Sequence, residues 1–237
     1  MEKRTYTYRL LIPLIAIYLT FMLGSIVLVH KLVVISSTIT AAGVFLFPAT
    51  FVLGDVIAEV YGYQVARQLL WSAIVCEFLF ALFCYILIHL KSPPFWHYQQ
   101  DFNYILGGLL RIYFSGLFAF LIASFINVIL LSKWKIALKG RYFWLRSVIS
   151  SCIGEAIYTV ICVSLIYYAT IPFNKFIQLM ISVYVITMLY IAIFAIPAAP
   201  LARFLKKIEG VDPFDYGINF NPFNSEIRPP DSKTENI

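Results

Sequence analysis

Long apolar runs, broken by short polar or basic stretches, set the pattern of the chain. The runs extend from about Leu10 to Val29, Ala41 to Tyr61, Arg67 to Leu90, Ile105 to Leu131, Phe143 to Ala169 and Phe176 to Leu205. Each is close to or above the roughly 20 residues that an α-helix, rising 1.5 Å per residue, needs to cross a bilayer core. The pattern predicts an all-α polytopic membrane protein with six transmembrane helices. Pro13 falls in a first turn, where a missing N–H costs little. Pro48 is expected to kink the second span, and Pro197 and Pro200 lie near the end of the sixth. Among the separators, KSPPFWHYQQDFNY is the clearest loop. Lys31 to Thr40 reads as a short turn or a membrane-dipping stretch. From Lys206 the chain turns polar and rich in Pro and Asn. This divides it into a six-helix transmembrane domain, 1–205, and a tail, 206–237, expected to be largely disordered because it cannot bury enough apolar surface. Docking of the tail through Phe214, Tyr216, Phe220 and Phe223 is the lesser alternative.

Composition strengthens this picture. Of 237 residues, 61% are hydrophobic and 13% charged, with a mean hydropathy of +0.85. Soluble domains sit nearer 45–50% apolar and about 25% charged. No large water-soluble domain fits in what remains. The net charge of +6 is not a nucleic-acid footprint, because the basic residues flank apolar runs, where they set topology. Of the 18 Lys and Arg, all but Lys31, Lys91, Arg111 and Lys175 fall on the side of the N-terminus, the loops after the second and fourth spans, and the tail. The positive-inside rule then places both termini in the cytoplasm, in a multi-pass protein of the cell inner membrane. The first run outlasts a signal-peptide core and lacks a clean cleavage site, so it is expected to be retained. The four cysteines, Cys76, Cys84, Cys152 and Cys162, lie in apolar segments without a CxxC pair. His30, His89 and His97 sit at outer span ends with spacings unsuited to a shared metal, and no cofactor is expected.

Ionisable residues inside the spans carry the candidate chemistry. A charge at the bilayer centre costs at least about 2.5–3.5 kcal/mol, so such residues should face the bundle interior or a wet cavity. Asp55 and Glu59 share one face of the second span and repel unless a cation, ligand or proton relieves them. Arg67 lies about 18 Å beyond Asp55 on a straight helix and can approach it only if the chain bends at Gly62. Glu77 and Glu155 lie near mid-membrane, and Asn127 toward the cytoplasmic end of the fourth span. Ser115 and Tyr113 are candidate structural partners for Glu77. Arg111 can snorkel outward. Phe47 and Phe51, one turn apart beside Asp55, can stack a flat heterocycle. Anchoring of helix ends is the competing reading for Asp55, Glu59 and Arg67.

The stretch FPATFVLGDVIAEVYGYQVARQLLW, with Phe47, Pro48, Phe51, Asp55, Glu59, Tyr61, Gly62, Ala66 and Arg67, resembles the queuosine precursor transporter family, also called vitamin-uptake-transporter-like. A second likeness covers Arg111 to Asn127 and KWKIALKGRYFWLRSVISSCIG, at Lys135, Trp144, Arg146, Ser150 and Gly154. The resemblance spans about Leu10 to Leu205. The family usually shows Gln-x-x-Asp on the fourth and fifth helices. Here those positions are Ser124 and Asn127, then Glu155 and Tyr158, so both aspartates are missing. Glu155, one turn from Tyr158, is placed to serve nearly the same space.

The resemblance implies import of a 7-deazaguanine: 7-cyano-7-deazaguanine, 7-aminomethyl-7-deazaguanine or queuine. A carboxylate can accept the adjacent ring N–H and amino group of a guanine-like edge in parallel. Aromatic faces can stack the ring, at roughly 1–3 kcal/mol. On this basis Asp55, Glu59, Phe47, Phe51, Asn127 and Glu155 are expected to bind substrate, and Glu77, Arg67 and Arg111 to act in coupling or gating. The alternative is a vitamin-binding membrane subunit that needs an energy-coupling ATPase partner. The chain has no Walker motif and no Ser–His pair at mid-membrane, so an enzyme is not expected. The expected partners are the small-molecule substrate and the lipid bilayer, with a homo-oligomer or an energy-coupling complex open and nucleic acid excluded.

Overall fold

The computed structural model describes residues 8–29, 31–35, 38–167 and 172–223. The architecture is all-α, with six helices long and apolar enough to cross a membrane. The elements are α1 (Leu11–Leu28), β1 (Leu32–Ile35), β2 (Thr38–Ala41), a 3-10 turn (Ala42–Phe45), α2 (Phe47–Tyr61), α3 (Tyr63–Ile88), α4 (Gln99–Leu106), α5 (Leu109–Ala137), α6 (Phe143–Tyr167) and α7 (Phe173–Glu209). The stretch expected to be a turn or dipping segment contains a small antiparallel hairpin, with Leu32 opposite Ala41 and Ile35 opposite Thr38. Its β-branched residues suit a pleated backbone.

The bundle is built around α2. From Pro48 to Tyr61 nearly every residue is buried, only Leu53 being half-exposed. Helices α1, α3, α5, α6 and α7 all pack on it. Small residues permit this crowding. A Cβ on Gly54 would lie 3.7 Å from the Tyr18 ring. On α7, Ala198 and Ala202 join the cluster that buries Val56, Ile57 and Val60 of α2. Such small side chains let membrane helices approach closely, where packing replaces a hydrophobic driving force.

Proline placement differs from expectation. Pro48 sits in the first turn of α2, where its missing N–H is one of the helix's unpaired donors anyway, so it starts the helix rather than kinking it. Pro197 and Pro200 lie inside α7, which continues to Glu209. The break between α2 and α3 comes at Gly62, whose φ of 85° favours glycine.

Both ends of the described bundle meet on one side. The Glu209 carboxylate accepts from the backbone N–H of Arg9 at 3.0 Å and of Leu10 at 2.7 Å, and from the Tyr61 hydroxyl at 3.0 Å. Beyond Glu209, residues 210–223 do not leave the bundle as a polar tail. Asp215 accepts from the Tyr63 N–H at 3.1 Å, capping the start of α3. The carbonyls of Phe220 and Pro222 accept from the Tyr63 hydroxyl at 2.8 Å and from Trp71 Nε1 at 3.0 Å. Phe220 packs on Tyr63, and Phe223 on Trp71. Composition pointed the other way because it counts only apolar surface, whereas this segment is held by its carbonyls and a carboxylate. The rest of the tail, 224–237, lies outside the described residues.

Candidate functional site

Asp55 is fully buried at the centre of the bundle. Among the described residues its carboxylate accepts only neutral donors. Asn127 Nδ2 of α5 donates to Oδ1 at 2.7 Å, and the hydroxyls of Ser147 and Ser151 of α6 donate to Oδ2 at 2.5 and 3.1 Å. The arrangement ties α2, α5 and α6 together at one point. It is possible because Gly154 lets α6 close on its neighbours: a Cβ there would meet the Ala123 carbonyl at 3.0 Å and Asn127 Cβ at 3.2 Å. Beside Asp55 lies a small cavity lined by Tyr18, Thr50, Phe51, Phe120, Ser124 and Asn127, among others. It has room for about one water molecule. Aromatic rings close around it. Phe47 meets Phe51 edge-on at 5.5 Å and lies 4.8 Å from the Tyr158 ring, and Phe120 is 6.4 Å away.

Glu59, one turn along α2 and also buried, is surrounded by cations. Arg146 Nη1 donates to Oε2 at 2.9 Å and Lys206 Nζ to Oε1 at 2.6 Å. Lys135 Nζ lies 4.0 Å from Oε1 and donates to the Glu59 backbone carbonyl at 2.7 Å. Asp212 bridges the two lysines at 2.8 and 2.9 Å. Lys135 and Lys206 hold the Asp212 carboxyl below its ordinary range, although burial alone would raise it. Burial lifts the neighbouring Asp215 carboxyl above its ordinary value, against the lowering effect of the Tyr63 N–H. The cluster pins α2, α5, α6, α7 and the 210–223 segment at the end of the bundle that carries the termini. Lys135 and Arg146 also lie over the rings of Phe214 and Phe143, at 5.0 and 5.8 Å.

The other expected site residues scatter. Arg67 is buried but donates to the Asn221 carbonyl at 3.4 Å and lies over the Tyr63 ring, so the turn at Gly62 leads it to the C-terminal segment. Glu77 is half-buried. The hydroxyls expected to serve it go elsewhere: Tyr113 donates to the Ile74 carbonyl and Ser115 to that of Arg111. Arg111 is exposed. Glu155 is buried, yet it makes no hydrogen bond to Asp55 or Asn127. Its Oε1 accepts from Thr159 at 3.2 Å and its Oε2 has no partner among the described residues. Ser147, Ser151, Lys206 and Asp212 were missing from the expected site. Ser147, Ser151, Glu155 and Thr159 recur every fourth residue and so form one stripe on α6, a period readable from sequence. Nothing local marks Lys206, which reaches Glu59 only through tertiary packing, or Asp212, which bridges Lys206 and Lys135.

At the far end of the bundle, Val27, Leu28, Lys31, Asp101, Tyr104 and Ile105 line an open cleft of about 420 Å³, within the size range of small-molecule sites. Among the described residues no cluster of His, Cys, Asp and Glu could hold a metal ion. Residues 41–202 match the model of a family described as "Putative vitamin uptake transporter". No curated protein and no solved structure matches the chain.

Proposed function

The chain belongs to the vitamin uptake transporter family, and from that premise we propose that it imports queuosine precursors across the cell inner membrane, with Asp55 as the carboxylate that recognises the substrate. The observation that carries this reading is a fully buried Asp55 held, among the described residues, by neutral donors alone, one of which, Asn127, also lines a small cavity with Tyr18, Phe51 and Phe120. A carboxylate without a cation in a membrane bundle is costly to keep. It suits a ligand that presents paired N–H groups, as the guanine-like edge of 7-cyano-7-deazaguanine, 7-aminomethyl-7-deazaguanine or queuine does. Phe47, Phe51, Phe120 and Tyr158 supply faces for the ring.

The mechanism follows from how the donors are arranged. In this closed conformation Asn127, Ser147 and Ser151 occupy the oxygens a substrate would use. An entering deazaguanine replaces those donors, which frees α5 and α6 from α2 and opens the space that now has room for about one water. The Glu59 cluster closes the end bearing the termini, which we place in the cytoplasm on charge grounds, and the 420 Å³ cleft faces outward. Import then alternates between opening the Asp55 site to the cleft and releasing the Glu59 clamp.

The test is restoration of queuosine in tRNA in cells that lack both its synthesis and native uptake, fed each precursor separately. Restoration by at least one precursor is expected, with loss in Asp55→Asn. Absence of restoration with every precursor, despite insertion in the membrane, would overturn the reading.

A further inference from the structure

The substrate reading leaves Glu155 unused. It is 1% exposed, in the middle of α6. Among the described residues Oε1 takes one hydroxyl donor, from Thr159, and Oε2 takes none. Among the described residues no Lys, Arg or His pairs with it, and the cations of the neighbouring helices are engaged or remote. On α5, Arg111 is exposed, Lys133 lies over Phe220 and Lys135 is bound to Asp212. On α7, Lys206 is held by Glu59 and Asp212, while Lys175 and Arg203 are exposed. The titratable groups facing Glu155 are Tyr158 and Cys162 on its own helix and Tyr184 on α7, whose hydroxyl donates to the Cys152 carbonyl at 3.4 Å. From α2 the nearest acid is Asp55, reached through Ser151 one turn before Glu155, about 6 Å along the helix.

A buried carboxylate with an unpartnered oxygen and no counter-cation costs several kcal/mol in a membrane bundle unless something neutralises it. Protein groups do not, and Glu155 does not line the cavity beside Asp55. The partner that needs neither space nor a donor from the protein is a proton. We propose that Glu155 is the coupling site of the transporter, binding a proton on Oε2 and releasing it in step with substrate movement. Its place on the α6 stripe makes the link physical. Ser147 and Ser151, which let go of Asp55 when substrate enters, lie on the same face, so a shift of α6 that admits substrate also moves Glu155 against α5 and α7. The coupling rests on the import reading, whereas the proton site itself does not.

The test uses the full chain in liposomes with labelled 7-aminomethyl-7-deazaguanine and an imposed pH gradient. One proton per substrate supports about tenfold accumulation per unit of pH difference. The native protein should accumulate to that extent. Glu155→Gln should fail to accumulate yet still exchange labelled for unlabelled substrate, and Glu155→Asp should keep the response to the gradient. Gradient-driven accumulation by Glu155→Gln, or indifference of the native protein to the gradient, would overturn the proposal. Loss of exchange as well as accumulation in Glu155→Gln would also overturn it, by making Glu155 a substrate ligand. A substrate-free arm separates the two readings. Infrared spectra should show the carbonyl band of a protonated carboxylic acid in the native protein and in Asp55→Asn, but not in Glu155→Gln. Presence of that band with no deazaguanine exchange would uphold the proton site and overturn the substrate assignment; its absence from the native protein would overturn the proton site whatever is carried.

Discussion

Asp55 and Glu59 stand one turn apart on the same buried helix, and their surroundings are opposite in kind. Asp55 meets an amide and two hydroxyls, Glu59 a guanidinium and an ammonium. Neutral donors can be exchanged for those of a ligand with little net change, since each hydrogen bond is worth about 1 kcal/mol net. Desolvated ion pairs cannot. Removing one partner leaves the other charge buried, at about 3–5 kcal/mol. On the proposed function, one of the two adjacent acids gives up its partners to a substrate and the other locks helices together. Sequence spacing places both on one face, but only the partners assign their roles.

The largest way to break this contrast is to neutralise Glu59. Glu59→Gln should lower unfolding stability by about 3–5 kcal/mol, read as a loss of membrane-inserted protein and an earlier thermal transition in detergent. A variant with native stability would show that the cluster is not a lock. Next comes Asp55→Asn, which should fold normally and lose about 10–100-fold in substrate affinity, the worth of hydrogen bonds to a charged group. Uptake assays with matched membrane levels decide it; unaltered uptake removes Asp55 from the site. Ser147→Ala sharpens the picture at smaller scale. It deletes one donor that competes with substrate, so affinity should change by no more than about tenfold and stability by about 1 kcal/mol. A loss as severe as that in Asp55→Asn would mean the serine contacts substrate itself.

Asp215→Asn is the smallest test and concerns the segment that reinforces the lock. An aspartate raised in the folded state contributes stability that is full below its unfolded pKa, about 3.9, and lost as pH rises through the folded value. The asparagine can still accept from the Tyr63 N–H. The variant should therefore flatten the pH dependence of stability just above that range without changing the fold. Identical native and variant profiles would place Asp215 in a less buried setting than the structure gives it.

The six spans and the placing of Asp55 inside the bundle could be read directly from the chain, because apolar run length and intramembrane carboxylates are local signals. The hairpin at Leu32–Ala41 and the start of α2 at Phe47 depended on which regular structure β-branched residues and Pro48 would join, and tertiary context decided that. Glu59 was placed beside Asp55 by spacing. Its partner Lys206, and Asp212, which bridges Lys206 to Lys135, come from the far end of the chain, and no window of sequence contains them together with Glu59. The aromatics Phe220 and Phe223 mark the docking of residues 210–223 in the sequence, but the backbone carbonyls that share in the holding leave no mark in composition. Glu155 lay on a readable four-residue period, yet its missing partner could be seen only with α5 and α7 in place.

The central claim is that Asp55, and not Glu59, is the acid substrate binds. Titration calorimetry of purified native protein and Asp55→Asn with 7-cyano-7-deazaguanine, 7-aminomethyl-7-deazaguanine and queuine, alongside their melting temperatures, tests it most directly. The account predicts binding of at least one compound to the native protein, weakened about 10–100-fold in Asp55→Asn at an unchanged melting temperature. Native-like binding by Asp55→Asn would contradict it.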